Sequence, residues 1–150
     1  MKKMNVLFVC TGNTCRSPMA EALLKEKAPH IHVQSAGIFA HPNDSANKNA
    51  VRALAERDLH LAHCAQPVTE KLLKWADLVI TMTEAHKQLL IDQFPKHKDK
   101  YHTLIAYSLG EEDSQGGDII DPFGGDLLMY KQTLAELENY IDAFIHKLDI

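Results

Sequence analysis

The densest chemistry in the sequence is the run Cys10-Thr11-Gly12-Asn13-Thr14-Cys15-Arg16-Ser17. A cysteine is a strong nucleophile once ionised, and an arginine offers a planar fork that binds two oxygens of a phosphate-like anion. Five residues separate Cys10 from Arg16, enough chain to bring sulfur and guanidinium face to face across one bound group. Gly12 permits a positive φ and Asn13 tolerates one. Successive main-chain N–H groups of residues 11–17 can then gather into a nest suited to a tetrahedral oxyanion. The binding set expected is therefore Thr11, Gly12, Asn13, Thr14, Cys15, Arg16 and Ser17. The same field favours ionised sulfur at Cys10, and the Ser17 hydroxyl can donate to that sulfur and improve it as a leaving group. An isolated Cys-x5-Arg match would more often be a buried cysteine and a surface arginine. Here a strand precedes it, a glycine lies within it and a helix follows, which decides for chemistry.

Attack on phosphorus also needs a proton donor for the leaving group. The candidate is Asp121, in Asp118-Ile119-Ile120-Asp121-Pro122-Phe123-Gly124-Gly125. Pro122 biases Asp121 toward extended backbone, and the glycines let the loop close over a cleft. A carboxylate beside a bound dianion is driven toward its protonated form, the state a general acid requires. Taken alone, the segment would be an Asp-Pro turn before a helix capped by Asp126.

These residues need a frame. The apolar run at 6–9 reads as a strand buried on both faces. Further strands are expected at 32–35, ending at Ala36-Gly37, at 78–82 and, more weakly, at 102–105. Ser17 as N-cap and Pro18 as N1 would open the first helix. Ala50, Val51, Leu54 and Ala55 repeat at helical spacing, residues 69–76 form a short helix, and Thr83 caps another that stops before Pro95. Leu134, Leu137, Ile141, Phe144, Ile145 and Leu148 make one apolar stripe on a last helix. The alternation predicts an α/β fold: a four-stranded parallel sheet with helices on both faces, as one domain over 1–150. Ligands of such sheets bind beyond the carboxyl ends of the strands. The stretch 107–125 reads as one long irregular loop, functional or disordered.

Composition excludes several classes. The apolar and charged fractions, 45% and 24%, are those of a globular chain. Sixteen basic against twenty acidic residues give a net charge of -4, against the basic excess of a nucleic-acid-binding module. Three cysteines are no disulfide framework and suit a reducing compartment. The N-terminal apolar run is interrupted by Asn5 and too short for a signal peptide, and no stretch reaches membrane-span length. A cytoplasmic protein is expected, with no membrane or nucleic-acid partner. Nine histidines assemble no ligand set: His60 and His63, like His97 and Lys100, stand three apart without suitable Cys or carboxylate partners. No metal and no cofactor are expected. Trp75 reads as core, and Glu111-Glu112-Asp113 as a solvated loop.

The strings VCTGNTCRSPMAE, Ser35-Ala36-Gly37 and Asp121-Pro122 together resemble the low-molecular-weight protein tyrosine phosphatases, over nearly the full chain. The resemblance implies a three-layer, Rossmann-like fold of the phosphotyrosine protein phosphatase I type, no metal, and a phosphocysteine intermediate. It implies that Cys10 attacks, that Arg16 and the loop amides hold the phosphoryl group, and that Asp121 serves first as acid and then as base. Asn13, Ser17, Ser35 and His63 match positions that hold the family's phosphate loop in shape. Phosphorylated proteins would be the substrates, met by a monomer.

Two departures bear on the substrate. Tyrosine-specific members usually carry a branched aliphatic where this chain has Thr14, and a tyrosine where it has Phe123. The combination resembles the bacterial branch that dephosphorylates phosphoarginine in proteins. An aliphatic at 14 would leave guanidinium N–H groups unpaired, whereas Thr14 offers an oxygen and more room. Phe123 can stack on the planar group and Asp121 can pair with it. The alternative is a phosphotyrosine phosphatase. Less favoured are an arsenate reductase, whose disulfide relay needs a further cysteine beyond Cys64, and a phosphoprotein-binding module, which needs neither thiolate nor acid. Cys15 lies close enough in the curled loop to form a reversible disulfide with oxidised Cys10.

Overall fold

The computed structural model describes residues 4–60, 62–110 and 118–148. Strands β1 (Asn5–Cys10), β2 (His32–Gly37), β3 (Leu78–Thr81) and β4 (Tyr101–Thr103) form one parallel sheet in the order β2-β1-β3-β4. The sheet is covered by α1 (Arg16–Lys27), α2 (Lys48–Ala55), α3 (Glu70–Trp75), α4 (Glu84–Gln93), α5 (Leu104–Leu109) and α6 (Leu127–Lys147).

β1 is the central strand, and its period-two alternation divides the core. Val6, Phe8 and Cys10 face the cluster built by α1, α2, α5 and α6, while Leu7 and Val9 face the one built by α3, α4 and Tyr101. Both faces being buried explains why residues 6–9 are all apolar. The expected stripe on α6 is there: Leu134, Leu137, Ile141 and Phe144 are at most 1% exposed, with Ile145 and Leu148 at the margin. Each such buried side chain contributes about 1.5–3 kcal/mol to holding α6 against α1 and α2. Trp75 is half-buried at the edge of the second cluster.

Three local expectations are corrected. α1 begins at Arg16 rather than after Ser17, and Cys15 is its N-cap without a side-chain bond. Ser17 is buried in the first turn, its hydroxyl engaged inward. β4 ends at Thr103, whose hydroxyl caps α5 by accepting from Ala106 N, so residues 104 and 105 are helical. The irregular stretch is correspondingly shorter: α5 runs to Leu109 and stops at Gly110 in the left-handed region. The acidic run 111–113 lies outside the described residues. No helix among the described residues is long and apolar enough to cross a membrane.

Candidate active site

The chain leaves β1 at Cys10, at the carboxyl end of the central strand, and loops directly into α1. Five of the loop's carbonyls are tied to neighbouring segments: Cys10 O accepts from Ile38 N, Thr11 O from Phe39 N, Thr14 O from Asn47 N and Cys15 O from Met19 N, and Asn13 O meets His63 Nε2 at 2.6 Å. Across a planar trans peptide the next residue's N–H points opposite to the carbonyl. The N–H groups of Thr11, Gly12, Thr14, Cys15 and Arg16 are thereby turned to the concave side, and the α1 N-terminus adds its partial positive charge. The positive φ of the loop falls on Asn13, at 57°, and not on Gly12. Asn13 takes that conformation because its side chain is locked from both ends. Its Nδ2 donates to Ser17 Oγ and Ser35 Oγ, and its Oδ1 accepts from Gln66 N.

Proton accounting then orients the hydroxyls. Ser17 Oγ accepts from Asn13, so its own proton is free for Cys10 Sγ, 2.9 Å away. Ser35 likewise accepts from Asn13 and donates to Glu21 Oε1, whose other oxygen pairs with Lys25. A chain of buried polar groups thus runs from Glu21 to the sulfur. Sequence reasoning missed Glu21 and Gln66, for a polar residue on a helix or in a loop carries no signal of its own. It also passed over what Gly37 does: a Cβ there would lie 2.7 Å from Thr11 O and 2.8 Å from Asn13 N, so only glycine lets β2 pass beneath the loop.

Arg16 is 4% exposed. Its Nη1 donates to Ile119 O at 2.8 Å, and Nη2 reaches Thr11 Oγ1 at 3.4 Å and Asp121 Oδ2 at 3.5 Å. Asp121 lies between α5 and α6, and its Oδ1 accepts from Phe123 N. Gly125 N closes a turn onto Pro122 O, with Gly124 at φ 85° as such a turn requires at its third residue. A cavity of about 220 Å³ is lined by Cys10, Thr11, Gly12, Thr14, Cys15, Arg16, Asp121 and Phe123. Of the expected binding set, Asn13 and Ser17 do not line this cavity, whereas the distant Asp121 and Phe123 do meet the rest of the loop there. Asn13, Ser17, Ser35 and His63 stand behind the loop.

Cys15 is buried, with its thiol pushed up by burial and partly offset by bonds from Tyr130 and Thr14. His86, in the first turn of α4, is buried against Thr11 and is pushed down to about 4 by burial and by the Arg16 charge. The sequence held a pointer to it: position 86 is three residues after the Thr83 cap, at the carboxyl end of β3.

A parallel α/β sheet with a cysteine–arginine anion cradle at the end of its central strand defines a phosphatase of the cysteine class. The chain belongs to the low molecular weight phosphotyrosine protein phosphatase family, whose pattern matches residues 5–150. It is 49% identical to a protein-arginine-phosphatase of Bacillus subtilis over 97% of each chain. It is 37% identical to the low molecular weight protein-tyrosine-phosphatase PtpB of Staphylococcus haemolyticus, over 89% of this chain and 92% of the relative. Among solved structures, the arginine phosphatase YwlE, as a cysteine-to-serine mutant with a phosphorylated active-site serine, superposes with a TM-score of 0.92. It shares 47% identity over 97% of this chain and 96% of that one.

Proposed function

We propose that this protein is a protein phosphatase that hydrolyses the N–P bond of phosphoarginine, through a phosphocysteine intermediate. Cys10 attacks phosphorus as thiolate while the loop N–H groups and Arg16 hold the phosphoryl oxygens. The N–P bond breaks and Asp121 gives its proton to the leaving guanidine. Asp121, now a carboxylate, takes a proton from water as that water attacks phosphorus. The S–P bond breaks, inorganic phosphate leaves and the thiolate returns, stabilised by the Ser17 hydroxyl. Asn13, Ser35 and His63 keep the loop in shape.

The observation that carries the substrate assignment is Thr14 lining the same cavity as Asp121 and Phe123. The cavity then presents a hydroxyl, a carboxylate and an aromatic face to the leaving group, which suits a guanidinium better than a phenyl ring. The relatives named as arginine phosphatases support the same choice. The test is turnover of a phosphoarginine peptide and a phosphotyrosine peptide side by side at neutral pH. The wild type should favour phosphoarginine by at least about tenfold, and Thr14→Ile should shift preference toward phosphotyrosine by a comparable factor. A wild-type preference for phosphotyrosine, or an unchanged preference in Thr14→Ile, overturns the assignment. The reading includes phosphorylated proteins as substrates, action as a monomer and a cytoplasmic setting, which suits the three free thiols.

We further propose reversible redox control, supported by Cys15 lining the same cavity as Cys10. Peroxide oxidises Cys10 to the sulfenic acid with loss of one water, and the Cys15 thiol then displaces the hydroxyl, forming S–S and a second water. Peroxide-treated protein should show the Cys10–Cys15 bond by mass spectrometry and recover with dithiothreitol, whereas Cys15→Ala should lose activity irreversibly. Equal recovery in that variant counts against the bond's protective role.

A further inference from the structure

One buried group touches the phosphate loop without a part in this chemistry. His86 Nε2 lies 2.8 Å from Thr11 Oγ1, and its Nδ1 has no hydrogen-bond partner among the described residues. Thr11 Oγ1 is also the atom approached by Arg16 Nη2 at 3.4 Å. The guanidinium is thus held at Nη1 by the Ile119 carbonyl and at Nη2 between Thr11 and the exposed Asp121 carboxylate, while Nε is unpaired among the described residues.

Protons decide how these groups connect. Arginine can only donate, so Thr11 Oγ1 accepts from Nη2. The hydroxyl keeps one proton and a second lone pair, and beside the Arg16 charge the favoured arrangement is the one in which it donates that proton to His86 Nε2. The imidazole is then neutral, protonated on Nδ1, with its lone pair rather than an N–H on the side of the arginine. That orientation is also the electrostatically favourable one beside a fixed cation, and the low affinity of His86 for a second proton agrees with it.

We propose that His86 is a positioning residue for Arg16: by taking the Thr11 proton it commits a Thr11 lone pair to Nη2 and holds the guanidinium in register with the phosphoryl group. The proposal rests on the reading of Arg16 as the group that holds that phosphoryl.

The test reads the inhibition constant of inorganic phosphate against para-nitrophenyl phosphate, with kcat and KM resolved, in folded variants. His86→Leu should weaken phosphate binding and lower kcat/KM about tenfold, the value of one hydrogen bond. His86→Gln can bring an amide oxygen to the place of Nε2 and should recover to within about threefold. Thr11→Val should reproduce the loss, and His86→Leu should add nothing on that background. A purely structural role would lower the melting temperature and leave phosphate affinity independent of Thr11. Unchanged phosphate affinity in His86→Leu or Thr11→Val, or losses that multiply in the double variant, overturns the proposal. If His86→Leu does not fold, Thr11→Val and His86→Gln decide. Wild-type protein that neither binds phosphate nor turns over the ester would overturn the phosphatase reading instead, so the two failures are distinct.

Discussion

The phosphate loop and the Asp121 loop meet at one cavity but are held in opposite ways. Behind the first, Asn13, Ser17 and Ser35 are at most 2% exposed, and their side chains bond one another, Cys10, Glu21 and the Gln66 N–H. The second is open: Asp121 has a side chain 45% exposed, Phe123 is 73% exposed, and the carboxylate is met by a neighbouring N–H and a long contact to Arg16. The difference fits the proposed chemistry. An anion cradle works by fixed dipoles that need no reorganisation when charge develops. The acid must meet a protein-borne leaving group, donate a proton, then face water from the same side, and a solvated carboxylate on a turn does that without disturbing the core.

If this contrast is right, damage to the two loops should separate activity from stability. Asp121→Asn should lower kcat about 10³-fold, within the range for a general acid, while the unfolding free energy measured in urea changes by less than about 0.5 kcal/mol. A large stability loss in that variant would mean the loop is structural after all. Arg16→Lys keeps the charge but loses the fork and the Ile119 anchor, and should cost about 10²–10³-fold in kcat/KM. Asn13→Ala reverses the pattern. It strands Ser17, Ser35 and the Gln66 N–H and puts a non-favoured residue at positive φ, so equilibrium unfolding should show a loss of about 4 kcal/mol. A loss under about 1 kcal/mol would show that the network relaxes, and the contrast with the Asp121 loop would dissolve.

The same contrast decides what could be seen in the sequence. β1 was legible because a strand buried on both faces must be apolar throughout, and α6 because its stripe keeps one period over four turns. Cys10, Arg16 and Asp121 stand out in the sequence by type and spacing, and the structure brings all three to one cavity. The left-handed position is open to Gly12 or Asn13 by local rules, and Asn13 takes it because partners far along the chain hold its side chain. Ser17 was given a capping role by local rules, yet the tertiary network claims its hydroxyl for Cys10 and Asn13. β4 and α5 were blurred for a related reason: three residues of strand leave too little period, and the Thr103 cap that ends it is a single hydroxyl. Glu21, Gln66 and His86 act only through what long-range folding brings to them.

His86 tests how tightly the cradle is built, through acid rather than mutation of the loop itself. Unfolded, its imidazole takes a proton as pH falls through 6.5; folded, burial and Arg16 delay that to about 4, against the opposing pull of Asp118 and Asp121. Between those values the unfolded chain binds more protons, so stability must fall as pH is lowered through the window. Over the full window His86 contributes a loss of up to about 3 kcal/mol. His86→Gln lacks the titration and should show a shallower decline in urea-unfolding free energy between pH 7 and pH 4, while every other acid-sensitive group contributes equally to both proteins. Parallel curves would mean that the folded loop accepts a second cation beside Arg16 at little cost, and the cradle would then be looser than its hydrogen bonds imply.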